Sequence, residues 1–303
     1  MLCAAGSALV AACAPARLAS PFSVGTARPL SRVPAGACDS HIHIISPQFE
    51  AAPGWRGEKL IDASVAAYRQ FQARIGTERV VVVTPSTYGA DNAATLDALH
   101  QFGKSARGVV VIDCDAPPAD LKAWTALGVR GIRVNFVSPQ PWGKTDAARL
   151  QKTARIAADL GWHIQIYARG AQIAELEPVI AGLPTPVVID HFGSPDPTGG
   201  PAAPAFVSIR RRLASGTTWV KLSGPYISSR SGPPEYADLM AYARAFVADA
   251  PERLVWGSDW PHRGQTGKLP DDANLIDHVA IWAADEKERH RILVENPTAL
   301  YGF

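Results

Sequence analysis

Short apolar runs alternate with longer amphipathic ones along this chain. Runs that are apolar almost throughout recur near 37–45, 79–86, 108–114, 131–137, 163–167, 187–192, 219–224 and 254–258. Such runs read as strands covered on both faces, the signature of parallel sheets. Between them lie stretches with apolar positions at helical spacing: 62–74, 93–102, 118–127, 147–160, 171–181, 205–214 and 236–248, with a last helical region over 274–294. Eight strands alternating with about as many helices predict an α/β fold, a single (β/α)8 TIM-type barrel over residues 36–303. A doubly wound open sheet is the alternative. It would carry a glycine-rich phosphate turn after its first strand, where this chain reads Ser46-Pro47-Gln48.

Several strands break their own apolar pattern near the carboxyl end. The first reads Cys38-Asp39-Ser40-His41-Ile42-His43-Ile44, and strict alternation puts Asp39, His41 and His43 on one face. Two imidazoles two residues apart can converge on one ion or one substrate oxygen. The sixth run ends Asp190-His191-Phe192-Gly193 and the eighth Gly257-Ser258-Asp259-Trp260-Pro261-His262. In a barrel of this kind the active site lies at the carboxyl ends of the strands. His43, Ser86, Asn135, Tyr167, His191 and Asp259 therefore share one mouth, with Arg133 on the face of Asn135 and Arg230 just beyond strand 7. Asp39 sits deeper and is expected to orient a histidine. His163 starts strand 5 at the wrong end and is expected to be structural. Trp55 and Tyr88 fall in loops able to line a pocket.

The chain has 303 residues, 47% of them hydrophobic, ample for one large core. A net charge of +2, with no basic run interleaved with aromatics, argues against nucleic acid as a partner. Four cysteines, two of them on core strands, do not make a disulfide framework.

Residues 1–35 differ in kind. The run 2–16 is apolar and rich in small residues, like a signal-peptide core, and too short to span a membrane. Val10-Ala11-Ala12-Cys13 loosely matches a lipoprotein cleavage box, although no positive residue precedes the run. The reading is export to the periplasm, with a disordered apolar extension on a cytoplasmic enzyme as the alternative. Residues 19–34, proline-rich and aperiodic, read as a linker, so everything before Ala35 is expected to pack poorly.

With DSHIH, VIDHFG, KLSGPY and WGSDWPH in that order, the chain resembles the amidohydrolase superfamily. More narrowly, it resembles the branch of pyrone-dicarboxylate and sugar-acid lactonases, over Gly36 to Phe303. The resemblance implies a catalytic group of His41, His43, His191 and Asp259. It implies substrate binding by Arg133, Arg230, Ser86, Tyr167 and Tyr226. The lactonase pattern has a further arginine after the strand-4 Asn-Phe-Val, where this chain reads Ser138-Pro139-Gln140-Pro141, so one carboxylate clamp is missing. Strand 4 also lacks the bridging Lys or Glu, and strand 5 the histidine, of two-metal members. The implied cofactor is none required, or a single divalent ion such as Zn2+ on His41, His43 and Asp259.

The expected function is a hydrolase opening a lactone of a small carboxylated metabolite, with Asp259 taking the proton from water. A lactone isomerase or decarboxylase on the same barrel is the alternative, and a non-catalytic carboxylate binder is a third reading.

Overall fold

The computed structural model describes residues 18–303 except 58, 139 and 266. Eight strands run in order and in parallel: β1 (Cys38–Ile42), β2 (Arg79–Val83), β3 (Ala106–Val110), β4 (Val129–Asn135), β5 (His163–Tyr167), β6 (Val187–Ile189), β7 (Thr218–Ser223) and β8 (Leu254–Gly257). The ring closes just past the end of β8. There Asp259 N–H donates to His41 O at 2.9 Å and His43 N–H to Trp260 O at 2.8 Å. Gly257 permits that approach, since a Cβ there would stand 2.7 Å from His41 Cβ. The predicted (β/α)8 barrel is the fold observed, and the open-sheet alternative is excluded.

Helices cover the strands: α1 (Val65–Ile75), α2 (Ala93–Phe102), α3 (Leu121–Leu127), α4 (Ala147–Asp159), α5 (Gly170–Ala181), α6 (Pro204–Ala214), α7 (Met240–Asp249) and α8 (Asp272–Trp282), followed by the short α9 (Glu286–His290) and α10 (Asn296–Tyr301). Alternate strand residues split between two cores. Val80 and Val82 pack with Tyr68 and Phe71 in the strand–helix layer, while Val81 and Val83 join Cys38, Val109, Val188 and Val255 inside the barrel. Among the described residues, no helix is long and apolar enough to cross a membrane.

Two sequence expectations are corrected. The alternation that put Asp39 on the face of His41 fails, because the β1–β2 register slips between Asp39 and Ile42. That irregularity offsets the pleat. Asp39 therefore meets the helix layer, accepting from Tyr68 OH at 3.1 Å, Ser258 Oγ at 2.6 Å and Ser258 N–H at 2.9 Å, while His41 points inward. Burial pushes the Asp39 carboxyl up to about 7 against those bonds.

The linker reading also fails for 19–34, which with Leu18 strap the barrel. Arg74 on α1 is fully buried and donates to Ala27 O, Val24 O, Ser20 Oγ and Ser23 Oγ, besides pairing with Asp271. Trp260 Nε1–H donates to Pro21 O at 2.9 Å, and Phe22 stacks edge-on against Trp260. The absence of periodicity is no guide here, because the strap is held chiefly through its backbone and serines by Arg74, Trp260 and Asp277 rather than by a periodic apolar face. The signal-like run and the cysteine box lie in 1–17, outside the described residues.

Candidate active site

The barrel mouth is built from residues at or just beyond strand ends. His43 follows β1, Ser86 opens a turn after β2, Arg133 and Asn135 close β4, and Tyr167 ends β5. His191 lies two residues past β6 and Asp259 two past β8. Both have left-handed backbone, φ 53° and 63°, conformations that are costly away from glycine and concentrate at functional sites. The kinks turn these side chains toward the axis. One cavity of about 280 Å³ is lined by His43, Ser86, Arg133, Tyr167, His191 and Asp259, among others.

Asp259 is the hub. Its Oδ1 lies 3.6 Å from His41 Nε2 and 3.5 Å from His43 Nε2, and its Oδ2 accepts from Tyr226 OH at 2.7 Å. Burial works against its charge. The nearness of His191, His43 and His41 outweighs that and holds the carboxyl below the usual carboxylate range. The His41 ring sits 4.8 Å from that of His191 and 5.0 Å from that of His43. His191 Nδ1 meets Ser223 Oγ at 2.9 Å, and His43 Nδ1 meets Val83 O at 2.8 Å. Gly224 keeps the space beside them open, for a Cβ there would stand 3.0 Å from His191 Nδ1 and 3.2 Å from Asp259 Oδ2.

Beneath the mouth lies a buried charge network whose Lys221, Gln165 and Asp190 have no role in the sequence reading. Lys221 donates to Gln165 Oε1 at 2.7 Å and stands 3.3 Å from His41 Nδ1. Asp190 Oδ2 accepts from Arg133 Nε at 3.2 Å and Gln165 Nε2 at 3.0 Å, and its Oδ1 is 3.4 Å from His41 Nδ1. Burial lowers the Lys221 ammonium to about 8 despite Asp190, and burial with Lys221 beside it pushes His41 well below the ordinary imidazole value. The available signal was spacing: Gln165 and Lys221 stand two residues before Tyr167 and Ser223, hence on the inward face.

The tautomer of His41 decides what its orphaned, buried Nε2 can do. If Nδ1 accepts from Lys221, Nε2 carries the proton and points it toward Asp259 Oδ1, 3.6 Å away. If Nδ1 donates to Asp190, Nε2 offers a lone pair to a metal. In that second state the donor set fits one divalent ion, since ligand atoms of His41, His191 and Asp259 lie within 4.8 Å of one another. This trio has His191 where the sequence-level set had His43. The cationic Lys221 and Arg133 beside it oppose a second ion.

The remaining predicted residues divide. Ser86 accepts from Asn135 Nδ2 at 2.9 Å, and the Arg133 guanidinium lies over the Tyr167 ring at 5.1 Å. Tyr226 stands behind Asp259, its hydroxyl spent on Asp259 and on His262 Nδ1 at 3.0 Å. Arg230 lies in an adjoining cleft with Tyr167 and Arg169, mostly exposed and paired with Asp196 at 3.3 Å. Trp55 lines the cavity, and Tyr88 instead donates to Ser46 O from a buried position.

Comparison with known proteins agrees with this geometry. The family model described as Amidohydrolase matches residues 38–303. The chain is 36% identical to 2-pyrone-4,6-dicarboxylate hydrolase of Comamonas testosteroni over 284 residues, 90% of this chain and 92% of that one. It is 33% identical to D-galactarolactone isomerase of Agrobacterium fabrum, covering 91% of this chain and 94% of the relative. A probable 2-pyrone-4,6-dicarboxylic acid hydrolase from Acinetobacter baumannii, solved with citric acid bound, superimposes with a TM-score of 0.76 at 27% identity, over 88% of this chain and 100% of that one.

Proposed function

The chain belongs to the amidohydrolase family, and on that premise we propose that it hydrolyses a lactone of a small carboxylated metabolite with Asp259 as general base. The observation that carries this reading is a buried carboxylate held ionised beside three imidazoles, in a cavity that Arg133 and Arg263 help to line. Water attacks the ring carbonyl carbon while Asp259 Oδ1 takes one of its protons. The imidazoles of His43 and His191 on the cavity wall, with His41 buried behind them, stabilise the oxyanion. Collapse breaks the ring C–O bond, and the departing alkoxide recovers the proton from Asp259. The product is the open hydroxy acid, one water heavier than the lactone.

A bound divalent ion would polarise the same carbonyl. With a base and imidazole donors already in place, the reaction as proposed does not depend on it. Arg133 anchors a substrate carboxylate, its Nε fixed on Asp190 so that the fork is preorganised. Arg230 serves at most the rim. Kinship with both a hydrolase and an isomerase supports a lactone as the substrate class, and the hub carboxylate favours hydrolysis.

Arg133→Lys tests the substrate class, since it keeps a charge beside Asp190 but loses the planar fork. KM for a carboxylated lactone should rise about tenfold or more (about 1.4 kcal/mol), with KM for an uncharged lactone unchanged. Equal KM changes for both substrates would point to a neutral lactone.

A further inference from the structure

We propose that Tyr226, His262 and Asp272 form a positioning chain that ties down one oxygen of Asp259 and leaves the other to take the proton from water. The proposal rests on Asp259 as the base. Tyr226 OH lies 2.7 Å from Asp259 Oδ2 and 3.0 Å from His262 Nδ1, and His262 Nε2 lies 2.9 Å from Asp272 Oδ2. The members come from three elements: the turn after β7, the loop after β8 and the first turn of α8. The side chains of His262 and Asp272 are both 0% exposed.

Three features set this apart from a loop anchor. First, among the described residues His262 is the one side chain hydrogen-bonded to the Asp272 carboxyl, and Asp272 Oδ1 has no hydrogen-bond partner. A carboxylate buried on so little is costly, and an amide would hold the loop at less expense. Second, Asp259 and His262 both take left-handed backbone, φ 63° and 65°, joined by a bond from His262 N–H to Asp259 O at 2.8 Å. That tight turn aims both side chains at the same hydroxyl. Third, the hydroxyl has one proton, and it stands nearer the carboxylate than the imidazole.

The chain leaves Asp259 Oδ1 free of the tyrosine, 3.6 Å from His41 Nε2 and 3.5 Å from His43 Nε2, on a residue that lines the cavity. Tyr226 itself is off the cavity wall, so its loss should misorient the base without touching bound substrate. Misplacing a reacting group by about 1 Å costs about a hundredfold.

The test uses the full chain with 2-pyrone-4,6-dicarboxylate or D-galactarolactone, whichever the wild type opens faster. Tyr226→Phe and His262→Gln should each lower kcat about ten- to a hundredfold, with KM within about twofold. The double variant should be no worse than Tyr226→Phe alone, because members of one chain do not add. If His262→Gln does not fold, Asp272→Asn takes its place with the same expected coupling. Multiplicative losses, losses confined to KM, or kcat within about twofold of wild type in Tyr226→Phe would overturn the proposal. An Asp259→Asn variant that still turns over would instead sink the base assignment. A crystal structure of Tyr226→Phe, which needs no substrate, should show the Asp259 carboxylate turned out of its contact with His43. An unmoved carboxylate overturns the chain even if no tested lactone is opened.

Discussion

The lower and upper halves of the barrel interior are built from the same strands and filled in opposite ways. Below, Cys38, Val81, Val109, Val188, Trp219 and Val255 pack an apolar plug. Two residues further along the chain, Val188 of β6 gives way to Asp190 just past its end and Trp219 of β7 to Lys221, and Arg133, Gln165 and His41 complete a buried polar layer. The plug stabilises the barrel by removing apolar surface from water. The layer above gains little net stability, because each charge must first be desolvated and is then compensated only by its neighbours. A scaffold that accepts this arrangement at one end alone marks that end as the working one.

Substitutions in the two halves sharpen the contrast. Lys221→Met, similar in length, should destabilise by about 3–5 kcal/mol, since it leaves Asp190 and Gln165 facing an apolar group in a dry interior. It should also lower turnover, because His41 loses the donor on Nδ1. Val188→Ala, two residues before Asp190, should cost about 2–3 kcal/mol in packing and leave turnover nearly unchanged. Urea melts and steady-state rates on both variants check this. If Lys221→Met proves as stable as the wild type, the upper layer is not an interdependent charge network.

The lower half is not wholly apolar. His163 is buried at the start of β5, its ring over Gly131 and edge-on to Tyr301, with neither nitrogen hydrogen-bonded. Burial, with Lys221 adding to it, lowers its imidazole to about 3. The folded value lies below the unfolded 6.5, so as pH falls from about 6.5 toward 3 the unfolded chain takes a proton that the folded chain refuses. Stability is therefore lost on acidification, by about 2 kcal/mol between pH 7 and pH 5 from this group. His163→Phe should flatten that part of the stability–pH curve by about the same amount. An unchanged curve would mean that other groups carry the acid limb.

The barrel was legible because its strands are apolar throughout and regularly spaced. The placement of His43, His191, Arg133 and Asp259 around one mouth was legible because polar residues at the carboxyl ends of barrel strands face it. Three things were not. The β1 irregularity that separates Asp39 from His41 leaves no mark in composition, since strict alternation and its interruption use the same residues. The chain behind Asp259 joins Tyr226 to Asp272 across 46 positions through His262, which a sequence shows only as the residue after Pro261. The strap over 18–34 is invisible to periodicity because its hold is chiefly Arg74, Trp260 and Asp277 on its backbone and serines.

The most direct test compares wild type with Asp259→Asn on a panel of carboxylated lactones, measuring ring opening and, separately, binding. Loss of a general base costs about 10²–10⁴-fold, so the variant should bind with nearly unchanged Kd while kcat falls by about that factor, and the wild-type product should be the open hydroxy acid. A variant that opens the ring at the wild-type rate, or a wild-type product that is an isomeric lactone, would contradict hydrolysis driven from Asp259.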